Sequence, residues 1–234
     1  MNRYGTTILR AYWLLTLSLL AAALAMVIWY VPDDPQSGPI LRIVHIHLAA
    51  AINTLIACTV VFAANIAYLW QRDNRWDALG DAGARVVVLL CFVALVTGML
   101  WAKQTWGRWW EWNSPLTFSL ILWLLYAGYL LHRRLPHPPG RRAMRSAAFG
   151  IVAFLDVPLV YLSVRMLPDS HLSVGERATE TVQTQIVWLL AVLFLSGGLI
   201  STRYLLTRLT SAGDASTHAQ PGPTQRPASP RMIA

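Results

Sequence analysis

The sequence predicts an all-α integral membrane protein: a bundle of six transmembrane helices with both termini cytoplasmic. Three observations predict it. Apolar residues make up 56% of the 234-residue chain and charged residues only 13%, against about a quarter in soluble domains. Apolar runs near the roughly 20 residues that cross hydrocarbon recur along the chain. None shows the period-two alternation of a barrel strand, so backbone groups at membrane depth must be satisfied within helices.

The six runs are Tyr12–Val31, Ile43–Trp70, Arg85–Trp101, Leu116–Leu131, Ala147–Leu167 and Ile186–Leu206. The first is too long, and lacks the small-residue cleavage site, for a removable signal peptide, so it reads as a retained span. Six spans put both termini on one side. That side then holds 14 of the 19 Lys and Arg residues and the other side 5, which makes the rich side cytoplasmic. His132 and His137 fall in the cytoplasmic segment HRRLPHPPGRRAMR, read as a topological signal. The formal charge of +8 has the same explanation, and no nucleic-acid partner is expected. Residues 1–210 thus form a six-span membrane domain, with the bilayer as its surroundings. Residues 211–234, rich in Pro, Ser, Ala, Gly and Thr, read as a disordered cytoplasmic tail; His218 lies there and carries no signal.

Cys58 and Cys91 both sit inside apolar runs, without CxxC or metal spacing. They read as small buried hydrophobes, which disfavours thiol-redox chemistry. The chain also has no G-x-x-x-x-G-K-[ST] phosphate loop, so any ATPase must be a separate subunit. No Ser–His–acid constellation or Gly-x-Ser-x-Gly elbow appears, and no enzyme activity is expected.

Three segments face outward: residues 32–40, the tryptophan-rich segment 102–115, and residues 168–185. The second contains WGRWWEWN, four tryptophans in eight residues. Tryptophans favour membrane interfaces, and Trp29, Trp70, Trp101 and Trp188 need no other account; four together exceed that need. In a helix, Trp106, Trp109 and Trp110 would share one face and Trp112 would not, and Gly107 would weaken that helix. A short segment lying flat on the membrane surface fits the pattern. An aromatic surface there suits a flat apolar ligand, and Lys103 and Arg108 suit its anionic groups. Porphyrin, with its disc and two propionates, meets both conditions, beside the readings of an interfacial belt or a partner-docking surface.

Imidazole is a common axial ligand of haem iron. The outward histidines are His45, His47 and His171. His45 and His47, two residues apart, point to different helix faces, so at most one serves a given site. Neutral rings bind and protonated ones do not, so occupancy should fall as pH drops through the histidine range.

At these residues the sequence resembles the haem-handling membrane proteins of cytochrome c maturation that carry a "WWD" segment, and among them the CcmC family. WGRWWEWNSPLT is similar to the family's WGxWWxWDxRLT. RIVHIHLAAA resembles its first histidine motif, with His47 aligned. LDVPLVYLSV resembles its fifth-span motif, and the step from Ser163 to His171 keeps its spacing to a second histidine. Asn113 stands at the family's aspartate and Pro115 at its arginine, and the RMLPDSHLS loop has Pro168 in place of the tryptophans expected there.

The resemblance implies haem, b-type and transiently bound, held on the periplasmic face of a multi-pass protein of the bacterial inner membrane. It implies His47 and His171 as axial ligands and a platform of Trp106, Gly107, Trp109, Trp110, Trp112 and Asn113, with Arg108 and Lys103 near the propionates. Haem then passes to the membrane-anchored chaperone CcmE. Further partners implied are an ABC-type ATPase, membrane subunits of the same system and the single-span CcmD. Asp156, before the helix-breaking Pro158, reads as structural; Asn53 and Asn65 read as interhelical hydrogen-bonding residues. Two alternatives stay open: a permease subunit of an ABC-type transporter, and a structural subunit that docks a partner through the tryptophans.

Overall fold

In the computed structural model, which describes residues 3–33, 38–136, 138, 141–166 and 179–218, the described chain is helical and six helices are long and apolar enough to cross a membrane. α1 (Arg3–Ala25) ends in a π-helical turn, Met26–Tyr30. A 3₁₀ turn, Pro39–Arg42, leads into α2 (Ile43–Gln71), followed by α3 (Asn74–Trp106) and α4 (Ser114–Arg134). The fifth span is split into α5 (Arg141–Ala153) and α6 (Asp156–Met166), and the sixth lies in α7 (Thr179–His218). α7 thus continues into the segment read as a tail; residues 219–234 lie outside the described residues.

Small residues set the helix spacing. A Cβ at Gly83 of α3 would lie 2.8 Å from Val61 Cγ2 of α2, so only glycine allows this approach. Tyr12 of α1 hooks onto α7, its hydroxyl donating to the Phe194 carbonyl, where Gly197 and Gly198 leave room for its ring. Small residues and a few polar contacts serve where lipid weakens the hydrophobic drive between helices. The buried centre contains Cys58, Val61, Val87, Leu90, Cys91, Leu122 and Tyr126. Both cysteines are buried free thiols.

α3 begins 11 residues before the run read from hydropathy, at Asn74 rather than Arg85. The added turns carry Asp77 and Asp81, and the structure shows why they can be helical and packed. Arg133 of α4 grips Asp77 with both terminal nitrogens, at 2.6 and 2.9 Å, and its Nε donates to Asp81 at 3.1 Å. Arg85 binds Asp81 one turn away at 3.0 Å, and Arg203 of α7 approaches it at 3.5 Å. Arg133 Nη1 also donates to the Tyr129 hydroxyl, which in turn donates to Asn65 Oδ1 at 3.5 Å. α2, α3, α4 and α7 meet in this network, at the end of the bundle away from the tryptophans. Just outside α3, Asp73 caps its first turn by accepting from Arg75 N at 2.8 Å. That bond, with the Arg75 guanidinium beside it, holds the Asp73 carboxyl below the ordinary aspartate range.

The fifth span breaks at Phe154 and Leu155. Pro158 has no N–H to offer the Phe154 carbonyl, which accepts from Val157 N instead, at 3.0 Å, in a tightened turn. Asp156 opens the new helix and is buried, its Oδ2 without a hydrogen-bond partner among the described residues. Asn53 does bridge helices, Nδ2 donating to Ala49 O and to Leu189 O of α7.

Candidate functional site

α2 opens at Ile43 with two histidines, and the helical repeat sends them to different neighbours. His45 is 3% exposed and turns to α7. Its Nδ1 donates to Gln185 Oε1 at 3.1 Å, and Gln185 Nε2 donates back to the His45 carbonyl at 3.4 Å. This pair joins the start of α2 to the start of α7. Nearby, Arg42 pairs with Asp33 at 2.9 Å and donates to the Ile28 carbonyl, and Tyr30 donates to Gln183 at 2.8 Å.

His47 turns instead to α3. Its Nδ1 lies 2.9 Å from the Ala94 carbonyl and 3.2 Å from Thr97 Oγ1. A carbonyl oxygen can only accept, so Nδ1 carries the proton and Nε2 the lone pair. Gly98 supplies the space: a Cβ there would come within 3.1 Å of His47 Cε1.

The His47 ring lines a cavity of about 580 Å³, within the range of small-molecule sites. Its walls are predominantly apolar. Ile43, Gly98, Trp101 and Trp106 surround the end near the loops; Thr59, Cys91, Leu122 and Tyr161 lie deeper. From Ile43 to Thr59 it follows α2 for about 24 Å, at about 1.5 Å per residue.

The tryptophan segment does not continue the helix. α3 ends at Trp106, and Gly107 takes the left-handed conformation, with φ of 74°, that glycine adopts most readily at a helix C-terminus. Residues 107–113 are irregular, so the shared helical face of Trp106, Trp109 and Trp110 does not form. Trp106 lines the cavity and meets Trp101 edge-on at 5.2 Å. Trp110 packs against the core and edge-on to Trp112 at 5.6 Å; its Nε1 is buried, with no acceptor among the described residues. Trp109 is 51% exposed and Trp112 78%.

The cations of the segment are engaged within it. Lys103 Nζ donates to the Gly107 carbonyl at 2.9 Å and stands 6.0 Å from the Trp109 ring centre. Arg108 pairs with Glu111 at 3.1 Å. Asn113 lines the cavity, and its Oδ1 caps α4 by accepting from Leu116 N at 3.1 Å. Pro115 is buried in the first turn of α4, where a missing N–H costs nothing.

His171 and Pro168 lie outside the described residues. Sequence reasoning missed the seat of His47, formed by Ala94, Thr97 and Gly98, although a Thr-Gly pair inside the apolar run VALVTGML was a legible signal. Among the described residues no three His, Cys, Asp or Glu side chains gather as a site for a bare metal ion. One histidine ring on the wall of an apolar cavity suits a metal that arrives inside its own macrocycle.

Curated proteins named heme exporter protein C are similar to this chain. The one from Bradyrhizobium diazoefficiens is 34% identical over 151 residues, which is 64% of this chain and 55% of the relative. Its Haemophilus influenzae counterpart is 30% identical over 197 residues, 82% of this chain and 78% of the relative. For Escherichia coli K12 the values are 34% over 146 residues, 61% and 58%. The matches with the first and third therefore span little more than half the length of those relatives. A family model described as "CcmC: Heme exporter protein C" matches residues 1–217, and the chain belongs to that family.

Proposed function

We propose that this chain binds haem at the tryptophan-bearing end of the bundle and passes it on for cytochrome c maturation. The observation that carries the reading is His47: a ring held by a backbone carbonyl in the tautomer whose Nε2 carries the lone pair, on the wall of a largely apolar cavity edged by Trp101 and Trp106. Bound haem would supply the iron, and this chain's residues would hold and orient it. In this reading His47 and His171 are the axial ligands. Trp106 covers the cavity, and Trp110, with its unmet N–H, supports the disc. Lys103 and Arg108 lie where propionates would meet cations, after exchanging their present partners. Gly107 and Asn113 shape the segment between the helices.

The Lys and Arg bias supports a cytoplasmic position for both termini, hence a periplasmic tryptophan end in a bacterial inner membrane. The names of the relatives support haem as cargo. CcmE is the proposed acceptor, with an ABC-type ATPase, further membrane subunits and CcmD as assembly partners. The chain acts here as a carrier rather than a catalyst. The exposure of Trp109 and Trp112 favours a second role for those two side chains, as the surface that meets the acceptor, because aromatic residues dominate protein interfaces.

The test is the absorption spectrum of the protein purified in detergent. A bound-haem signal is expected in the unaltered chain, with His47→Ala and His171→Ala each weakening it and changing its band positions. An unchanged signal in both variants would falsify the ligand assignment.

A further inference from the structure

The geometry points to Thr97 as a positioning residue that sets the donor strength of His47, with Gly98 as the gap into which the ring fits; this rests on the haem reading above. Thr97 Oγ1 donates to the Val93 carbonyl at 2.7 Å. With the Ala94 carbonyl also in reach at 3.1 Å, its hydroxyl proton is committed along α3, and its lone pairs remain to accept. His47 Nδ1–H, 3.2 Å from that oxygen and 2.9 Å from the Ala94 carbonyl, is shared between two acceptors one turn apart.

Two consequences follow from this arrangement. The tautomer is fixed by the Ala94 carbonyl, which can only accept, and Thr97 adds a second acceptor to the same N–H. The ring is also made more electron-rich, because an N–H held by acceptors pushes charge toward the opposite nitrogen and raises its basicity as a ligand. Gly98 completes the seat. A Cβ at this position would stand 3.1 Å from His47 Cε1 and 3.5 Å from Nδ1, so alanine would press on the ring edge that makes the hydrogen bonds. Thr97 is itself nearly buried, 9% exposed, which keeps water from replacing it.

The experiment uses the full chain in detergent, titrated with hemin, with affinity and the midpoint potential of the bound iron as readouts. Thr97→Val keeps the branched shape and removes the hydroxyl. It is expected to weaken hemin binding about tenfold, the lower end of what outer-sphere changes cost. The potential should move to more positive values, because a poorer donor stabilises the oxidised iron less. Thr97→Ser should restore both, and Gly98→Ala should weaken binding without removing any hydrogen-bonding group. If Thr97→Val matches the unaltered protein in affinity and potential, the proposal is overturned. It is equally overturned if Thr97→Val lowers only the yield of folded protein, with no shift in potential. A silent Thr97→Val beside a His47→Ala that loses the haem signal removes the seat and keeps the ligand assignment. A His47→Ala that leaves the signal intact removes both.

Discussion

The two ends of the bundle are built on opposite principles. At one end Arg133, 9% exposed along its side chain, is shared between Asp77 and Asp81, and Arg85 and Arg203 close around the second carboxylate. At the other end the contacts among the described residues are mostly pairwise: His45 with Gln185, Arg42 with Asp33, Arg108 with Glu111. Large aromatic surfaces at that end stay exposed. Local stability follows the density of buried, satisfied contacts. The arginine end fixes the helices relative to one another, while the tryptophan end keeps a cavity and exposed rings for something to bind.

The largest effect should come from breaking the tied end. Arg133→Ala leaves Asp77 and Asp81 without their shared cation, and removing one partner from a buried ion pair costs about 3–5 kcal/mol. Thermal unfolding in detergent should show this as a marked loss of stability; an unchanged transition would mean that the network contributes no more than surface pairs do. Asn113→Ala should come next. It removes the cap of α4, a change worth about 1 kcal/mol, and it should loosen the tryptophan segment, read as faster proteolysis between Gly107 and Ser114. Asn113→Asp should be nearly silent, because a carboxylate caps as well as an amide oxygen. The smallest effect belongs to Arg108→Ala. Its pair with Glu111 is exposed, such pairs contribute about 0.2–1 kcal/mol, and the same unfolding measurement should detect little, still less at high salt.

The Asn113 result bears on how much could be read beforehand. At that position the family pattern has an aspartate, and the change raises the question of a missing charge. The structure gives the side chain a second duty, capping α4 through an oxygen that both residues possess. The six spans were legible because hydrocarbon demands long apolar runs. The start of α3 was not, because Asp77 and Asp81 interrupt the hydropathy signal and their neutralisation depends on Arg133, 56 and 52 residues away. His45 and His47 were separable by helical spacing alone; which one faces the cavity required the position of α3 and α7. That the tryptophan segment leaves the helix was visible in part. Gly107 reads from sequence as a weak helix former, and the structure uses it to end the helix outright. The double acceptor on His47 was beyond reach, since Ala94 and Thr97 lie 47 and 50 residues from it.

The interruption between α5 and α6 has a mechanical consequence. α6 furnishes one wall of the cavity through Val160, Tyr161 and Val164, yet it joins α5 through a turn in which Pro158 withholds a hydrogen bond. If the cavity takes a ligand, this joint is where its wall would give first, because the backbone there lacks one helical hydrogen bond.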